Sequence, residues 1–464
     1  MKNRKLGLLV VVVALLFSSL AFVNAQDTTR ITFWTTELQP ARVERQQDII
    51  DAFQEANPAV EVELVVADEN LMDQLMTLNV AAGTPPDVVL HPLQLTAKWY
   101  NDGLLDGDFA TEIINSLDPA TFSTGALDLL ARPDAEGWSA VPSDGWGQML
   151  LYRSDLFEAA GLEAPTSYAA IMAGAEALHN PDEGFIGFCG ANSPSEVFTW
   201  QVFEHVALAN GATFVDADGN ITFNSPEMIE AIQFYADLMN SFGPTESDWY
   251  WLQTRAEYLA GNCGMTMWSP FILDEMAGLR DSVLPTCAAC ADNPAFIAEN
   301  TNFVGAISGY SNDAPAAWGS VNAIGLGPNA SPEAQAFVEF WFSETYLDAL
   351  GIAAEGKFPL RFGNEAGSTE FVEGWGNLDV GVDTRAPLSD FYSAEDLETI
   401  VSGSEGYTRM GYDVGASVLA SAVGAQFFIQ ENLVAVLNGE LTAEEAAEEI
   451  QIEIEDIQFE LEEG

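Results

Sequence analysis

The sequence predicts an α/β fold, and three observations carry that prediction. Strand and helix patterns alternate through the first hundred residues. The strands are short and apolar, and 464 residues with 48% apolar content can bury the core of two domains or more. Such alternation gives right-handed crossovers and a sheet covered by helices on both faces, with its strands buried.

The elements follow in order. "MKNRKLGLLVVVVALLFSSLAFVNAQ" has a basic start, an apolar run and a small-x-small ending at Val23-Asn24-Ala25, the pattern of a secretory signal over residues 1–25 cut near Gln26. A retained membrane anchor is the alternative reading, since Leu6 to Val23 approaches the span length. No cysteine near the cut offers a lipid attachment point, so the mature chain is expected to be soluble outside the cytoplasm. "RITFWTTE" then reads as a strand. "PARVERQQDIIDAFQEANP" reads as a helix with Pro40 in its first turn, Val43, Ile50 and Phe53 on one face, and Asn57-Pro58 as its stop. "AVEVELVVADE" is a second strand. "NLMDQLMTLNVAAG" is a second helix, with Leu71, Leu75 and Leu78 on one face and Gly83 ending it. Asp87-Val88-Val89-Leu90 is the third strand. Ligands in such sheets bind beyond the carboxyl ends of the strands. The residues expected there are Trp34, Thr35, Thr36 and Glu37, then Asp68 and Glu69, then His91 and Gln94.

Charge excludes several partners. There are 71 Asp+Glu against 15 Lys+Arg, a net charge of −56, and removing Lys2, Arg4 and Lys5 with the leader takes it to −59. Nucleic acid and anionic lipid are repelled by such a surface, and polyanionic ligands are disfavoured. The acidic ending "LTAEEAAEEIQIEIEDIQFELEEG" reads as an amphipathic helix fraying into a solvated tail. Cys189, Cys263, Cys287 and Cys290 are an even set in an exported chain, which points to disulfides. "CAAC" is also the spacing of a redox motif or half a metal site. No second Cys-x-x-Cys occurs, however, and only three histidines are scattered along the chain, so no metal and no cofactor is expected. Cys287 and Cys290 lie in "LPTCAACADNP", a Pro-bounded stretch that reads as an exposed loop, and are expected to pair. Cys189 follows the strand-like "GFIGF" and Cys263 precedes "GMTMW", so they form the second pair if those strands are neighbours. Four cysteines allow three connectivities.

At "AAGTPPDVVLHPLQLTAKWYNDGLLD" the chain resembles the extracellular solute-binding proteins of ABC importers, of the maltose-binding type. The resemblance continues through "AVPSDGWGQMLLYRSDLFEAAGLEAPTSYAAIMAGAEAL", "ANGATFVDADGNITFNSPEMIEAIQFYADL", "YLAGNCGMTMWSP", "AAWGSVNAIGLGPNASPEAQAFVEFWFSE", "GKFPLR" and "VLNGELTAEEAAEEI", all in the family's order. It implies a periplasmic-binding-protein-like fold: two α/β lobes around a ligand cleft, joined by three crossings near Ala140–Ser143, Ala316–Ser320 and Tyr407–Asp413. The lobes would be residues 26–141 plus 318–408 and residues 142–317 plus 409–464. They would close by hinge motion on a sugar, expected to be a di- or oligosaccharide, and a monomer would deliver it to membrane permease subunits.

A sugar has a hydroxyl edge and an apolar C–H face, so its site needs stacking rings and planar hydrogen-bonding groups. Trp146 lies in the Gly-rich "SDGWGQ", and Trp268 and Phe271 follow a strand end. Trp34, Trp249 and Tyr412 are further aromatic candidates, while Trp200 in "FTWQ" reads as core. The polar candidates are Glu37, His91, Gln94, Asp144, Ser195, Glu196, Arg361 and Asp413. Of these, Glu37, His91, Gln94 and Glu196 are carried by register with family segments. His91 stands where the family offers an aromatic, and no Asp-Arg pair occupies Gln94-Leu95. Two other classes compete with this reading. A secreted glycosidase needs a marked carboxylate pair, which nothing singles out among 71 acids, and no G-x-S-x-G, H-E-x-x-H or P-loop occurs. A polyamine binder needs carboxylates and aromatics together in the cleft.

Overall fold

The computed structural model describes residues 28–133, 135–280, 282–381 and 384–463; the expected secretory signal lies outside them. Strand β1 (Thr29–Thr35) pairs in parallel with β2 (Val60–Val66) and with β3 (Val88–Pro92). One face of β1 delivers Ile31 and Phe33 to Ile49, Ile50 and Phe53 of helix α1 (Pro40–Ala56). The other delivers Trp34 to a cluster with Met72, Met76, Val89 and Trp99.

Two local expectations are corrected here. In α2 (Glu69–Ala81) the buried stripe is Met72 and Met76, whereas Leu71 and Leu78 are 51% and 57% exposed. Two apolar stripes compete on this helix, and the unbranched thioethers fill the irregular space against the Trp34 and Trp99 rings. Strand β3 also does not stop at Leu90. It runs through His91 and Pro92, all five residues buried, and helix α3 (Leu93–Asn101) starts at once. The strand's start is pinned by Asp87: Thr32 N and Oγ1 donate to its carboxylate at 2.8 and 3.1 Å, and Asp87 N donates to Thr32 Oγ1 at 3.0 Å.

The sheet continues from β3 to β8 (Ala317–Leu326), then β4 (Val141–Arg153), β6 (Cys263–Trp268) and β5 (Ile186–Cys189). Two strands link its halves. The first half of β4 pairs with β8, and its second half pairs with β6 and β7 (Thr301–Val304). Strand β8 in turn pairs with β3 at one end and with β12 (Tyr407–Thr408) at the other. Close approach of the three segments depends on two glycines, because a Cβ at Gly147 or Gly319 would overlap the Tyr407 ring. The short β9 (Phe358–Pro359) joins β4 at Asp144 and Gly145. Tyr346 Oη locks that junction by donating to Ser143 O at 2.6 Å while accepting from Leu360 N and Arg361 N at 3.0 and 3.2 Å. Outside this sheet, β10 (Asp379–Val380) and β11 (Ala386–Pro387) form a two-stranded ribbon.

Strands β5 and β6 are parallel neighbours, and the structure bridges Cys189 to Cys263 with Cα atoms 6.0 Å apart. The second bridge joins Cys287 to Cys290. The expected exposed loop around that second pair is corrected: both cysteines are buried, with Cys287 against Gly261. The chain ends in the helix Ala443–Glu463, whose Ala443, Ala446, Ala447, Ile450 and Ile454 are buried.

Candidate functional site

A cavity of about 890 Å³ lies between the β1–β3 half of the sheet and the β4–β6 half. Its first wall comes from the segments after β1, β2 and β3, contributing Thr36, Glu37, Arg42, Glu69, Gln94 and Lys98. Lys357 closes its floor. The opposite wall carries Trp146, Trp200, Phe214, Phe271 and Tyr412. Ala420, Ser421 and Gly424 on the helix Ser417–Gly424 complete it, and this helix packs against α3 across the mouth.

The charged wall is internally neutralised. Lys357 Nζ lies 3.2 Å from Glu37 Oε1 and 3.1 Å from Asp144 Oδ1. Arg42 meets Glu37 at 3.0 Å and Glu355 at 3.1 Å. Burial would raise the Glu37 carboxyl, but Lys357 and Arg42 together hold it below its usual value. Burial would likewise lower the Lys357 ammonium, and Asp144 and Glu37 hold it above its usual value. Lys98 is held by Asp73 at 3.0 Å and Asp102 at 3.3 Å. Glu69 has no salt-bridge partner among the described residues and accepts a hydrogen bond from Gln94. Its carboxyl is pushed up by burial and by Glu37 and Asp68, against the pull of Lys357.

On the aromatic wall one buried carboxylate gathers the crossing strands. Glu204 accepts from Trp318 Nε1 at 2.7 Å, from Arg409 Nε at 2.9 Å and from Met410 N at 3.0 Å. The Arg409 guanidinium lies 4.4 Å above the Trp318 ring, and Trp146 packs against that ring at 5.1 Å. Half-buried Trp146 thus reaches the cavity lining on the support of Trp318, where a ring can stack on a ligand.

The cavity gathers six of the fourteen ring and polar candidates, Glu37, His91, Gln94, Trp146, Phe271 and Tyr412, together with Thr36 and Glu69 from the strand ends. His91 borders it only as a buried strand residue. Its ring packs edge-on to Trp99 at 5.0 Å, Nδ1 donates to Pro92 O at 3.2 Å, and burial takes its pKa down to about 4. The other eight are placed outside the lining. Trp34 belongs to the cluster behind β1. Trp249 is buried, with its backbone N–H on Asn192 Oδ1 at 2.6 Å. Trp268 is clasped by Phe198 at 4.9 Å and Trp251 at 6.0 Å. Arg361 donates to Thr121 Oγ1, Phe342 O and Leu117 O, between the Phe122 and Phe371 rings. Asp144 acts one step back, accepting from Lys357 and from Asn322 Nδ2, both of which reach the lining. Ser195 and Asp413 are exposed, and Glu196 sits at the N-cap of the helix Val197–Ala209.

Sequence reasoning missed Arg42, Lys357, Glu204, Arg409 and Asn322. Trp200 is a core ring as expected, 4% exposed, that also borders the cavity. One signal pointed to the basic set: in so acidic a chain, each Lys or Arg inside an apolar block needs a specific partner. Among the described residues no cluster of His, Cys, Asp and Glu could hold a metal ion.

Comparisons with known proteins accord with this architecture. A family model described as bacterial extracellular solute-binding protein matches residues 43–347. YcjN of Escherichia coli (strain K12), named as an ABC transporter periplasmic-binding protein, is 26% identical over 243 residues, 52% of this chain and 56% of its own length. The mannitol-binding protein of Pseudomonas aeruginosa (strain PAO1) is 28% identical over 209 residues, 43% of this chain and 46% of its own length. The chain thus spans about half the length of these curated relatives. The GacH receptor of Streptomyces glaucescens GLA.O, solved unliganded and with acarbose, matches with a TM-score of 0.66 at 18% identity. That match covers 93% of this chain and 98% of that one. At such identity the likeness is one of fold.

Proposed function

The chain belongs to the bacterial extracellular solute-binding protein family, and from that premise we propose that it is the extracytoplasmic binding component of an ABC importer for an uncharged sugar or polyol. In this reading residues 1–25 direct export and are cleaved, and a monomer hands its ligand to permease subunits in the membrane. The lobes are residues 26–141 plus 318–408 and residues 142–317 plus 409–464, closing around the cavity. Ligand that contacts both walls only in the closed form shifts the population toward it by its differential affinity.

One observation carries the ligand class. Every cation of the lining already faces a carboxylate: Arg42 with Glu37, Lys98 with Asp73, Lys357 with Glu37, Arg409 with Glu204. A phosphorylated or carboxylated ligand therefore finds no free positive charge. Amides at Gln94, Gln201 and Asn322 and rings at Trp146, Trp200 and Phe271 offer what a hydroxyl edge and a C–H face require. Binding of mannitol and acarbose by the named relatives supports this reading. Glu69 favours one second reading, a polyamine, since its carboxylate has no salt-bridge partner. A single such group is less than an extended polycation requires.

Thermal shift tests both. Mannitol, maltose and longer oligosaccharides, a glycerol phosphodiester and spermidine are added in turn, and a true ligand raises the melting temperature by mass action. A shift with a sugar or polyol is expected; a shift with spermidine and no carbohydrate would overturn the assignment.

A further inference from the structure

The tripeptide Glu355-Gly356-Lys357 touches both walls at once. It lies just before β9, at the junction where β4 begins. Glu37 and Arg42 reach it from the segment after β1, and Phe271 and Arg280 reach it from the segment after β6. The contacts form a chain of alternating charge. Asp274 holds Arg280 at 2.9 Å, and Arg280 meets Glu355 at 3.4 Å. Glu355 meets Arg42 at 3.1 Å, Arg42 meets Glu37 at 3.0 Å, Glu37 meets Lys357 at 3.2 Å, and Lys357 meets Asp144 at 3.1 Å. Between the two charged residues, Gly356 receives the Phe271 ring, and any Cβ there would overlap it.

We infer that Glu355, Gly356 and Arg280 form a closure latch: positioning residues outside the cavity that set how readily its two walls come together on a ligand. The inference rests on the solute-binding reading only in that closure serves ligand capture. Phe271 and Lys357 do line the cavity. Seating Phe271 on Gly356 therefore places a stacking ring on one side of the bound ligand, while Lys357 fixes the Glu37 carboxylate on the other. Arg280 and Glu355 are the link of the charge chain that joins the two sides. They are only 22% and 10% exposed, so water screens them weakly. Parting the walls breaks this link, and each half then keeps buried charges with fewer partners.

Small-angle X-ray scattering on the full mature chain tests the latch without any ligand. Wild type is compared with Gly356→Ala, Arg280→Gln and Glu355→Gln, with circular dichroism and melting curves confirming that each is folded. The three variants are expected to shift to a larger radius of gyration, while Arg280→Lys stays close to wild type. Hydrogen exchange at residues 271–276 and 355–357 is expected to accelerate in the same three. Scattering curves superimposable on wild type for all folded variants would overturn the latch, whatever the sugar panel shows. Should Gly356→Ala be poorly folded, the Arg280 and Glu355 variants decide alone, because neither introduces a clash. A latch confirmed by scattering alongside a protein that binds no carbohydrate would sink the ligand assignment and leave the latch standing.

Discussion

The two walls of the cavity are built on opposite principles. The wall from the β1–β3 segments is ionic: buried Glu37 pairs with half-buried Arg42 and with buried Lys357, which Asp144 holds from behind the lining. The facing wall is mainly aromatic, with Trp146, Trp200, Phe271 and Tyr412 resting on further rings and on the Glu204–Arg409 pair. Buried ion pairs hold their geometry because a lone partner is costly, and stacked rings hold theirs by packing. The first wall is therefore expected to fail through electrostatics and the second through lost contact area.

The sharpest way to break the comparison is Lys357→Met. Its cation is buried between two carboxylates, and removing it leaves Glu37 and Asp144 facing each other, at a cost of about 3–5 kcal/mol. Urea denaturation is expected to show that loss together with loss of sugar binding. A midpoint corresponding to less than 1 kcal/mol would mean that the ionic wall is not internally held. On the other side, Trp268→Ala separates support from contact. Its ring is clasped between Phe198 and Trp251 and does not reach the cavity lining, so the change is expected to cost about 3–4 kcal/mol of stability. Affinity in the folded fraction is expected to hold within twofold. A large affinity loss at unchanged stability would return Trp268 to the ligand.

The walls also differ in how far the sequence discloses them. Strand-helix alternation announced β1, β2 and β3 because burial imposes a period, and strand ends pointed to Glu37, Gln94 and Phe271. Trp146 stood out because a large ring in a Gly-rich segment has no local pattern to bury it. The ionic wall left no such trace. Lys357 and Asp144 are 213 positions apart, and among 71 acids no carboxylate advertises which cation it will meet. Arg361 illustrates the same limit. Within "GKFPLR" the arginine is the expected ligand group, yet the fold sends that guanidinium to backbone carbonyls and places the lysine four residues earlier at the cavity. His91 differs: the strand runs two residues past its expected end, so it borders the cavity as a buried strand residue and not from a rim.

The charge chain that links the walls is expected to respond to pH, and Glu275, at its β6 end, is where to measure it. Its carboxylate meets Arg255 at 2.8 Å and Arg280 at 3.9 Å, with Asp274 and Glu355 as like-charged neighbours. Burial, opposed by Arg255, raises its pKa to about 7, and burial raises that of Asp274 to about 6. Folded values above the unfolded ones mean that the folded state holds protons the unfolded state has released. This contribution is complete below about pH 4 and is lost as pH rises through about 6 and 7. His91 and His205 run oppositely: burial lowers both to about 4, so their contribution is present above pH 6.5 and lost as pH falls through 4. A difference measurement isolates the carboxyl. The stability of wild type relative to Glu275→Gln is expected to fall by on the order of 2 kcal/mol between pH 4.5 and 8. A difference that stays flat across that range would show Glu275 to be ionised throughout.

The smallest expected effect tests the aromatic wall directly. The Trp146 ring rests on Trp318, which is itself fixed by its indole hydrogen bond to Glu204, so truncation removes the exposed layer of the platform and leaves its base in place. Trp146→Ala is expected to weaken binding of whichever carbohydrate the panel selects by about 1 kcal/mol, roughly fivefold. Trp146→Phe, which keeps a ring on the same support, is expected to recover most of the loss. Calorimetry at pH 6 and pH 8 should return the same ratio of variant to wild type, since neither ring titrates. A ratio that changed with pH would tie Trp146 to the charged wall, and an unchanged affinity in Trp146→Ala would place the ligand's apolar face against Trp200 and Phe271 instead.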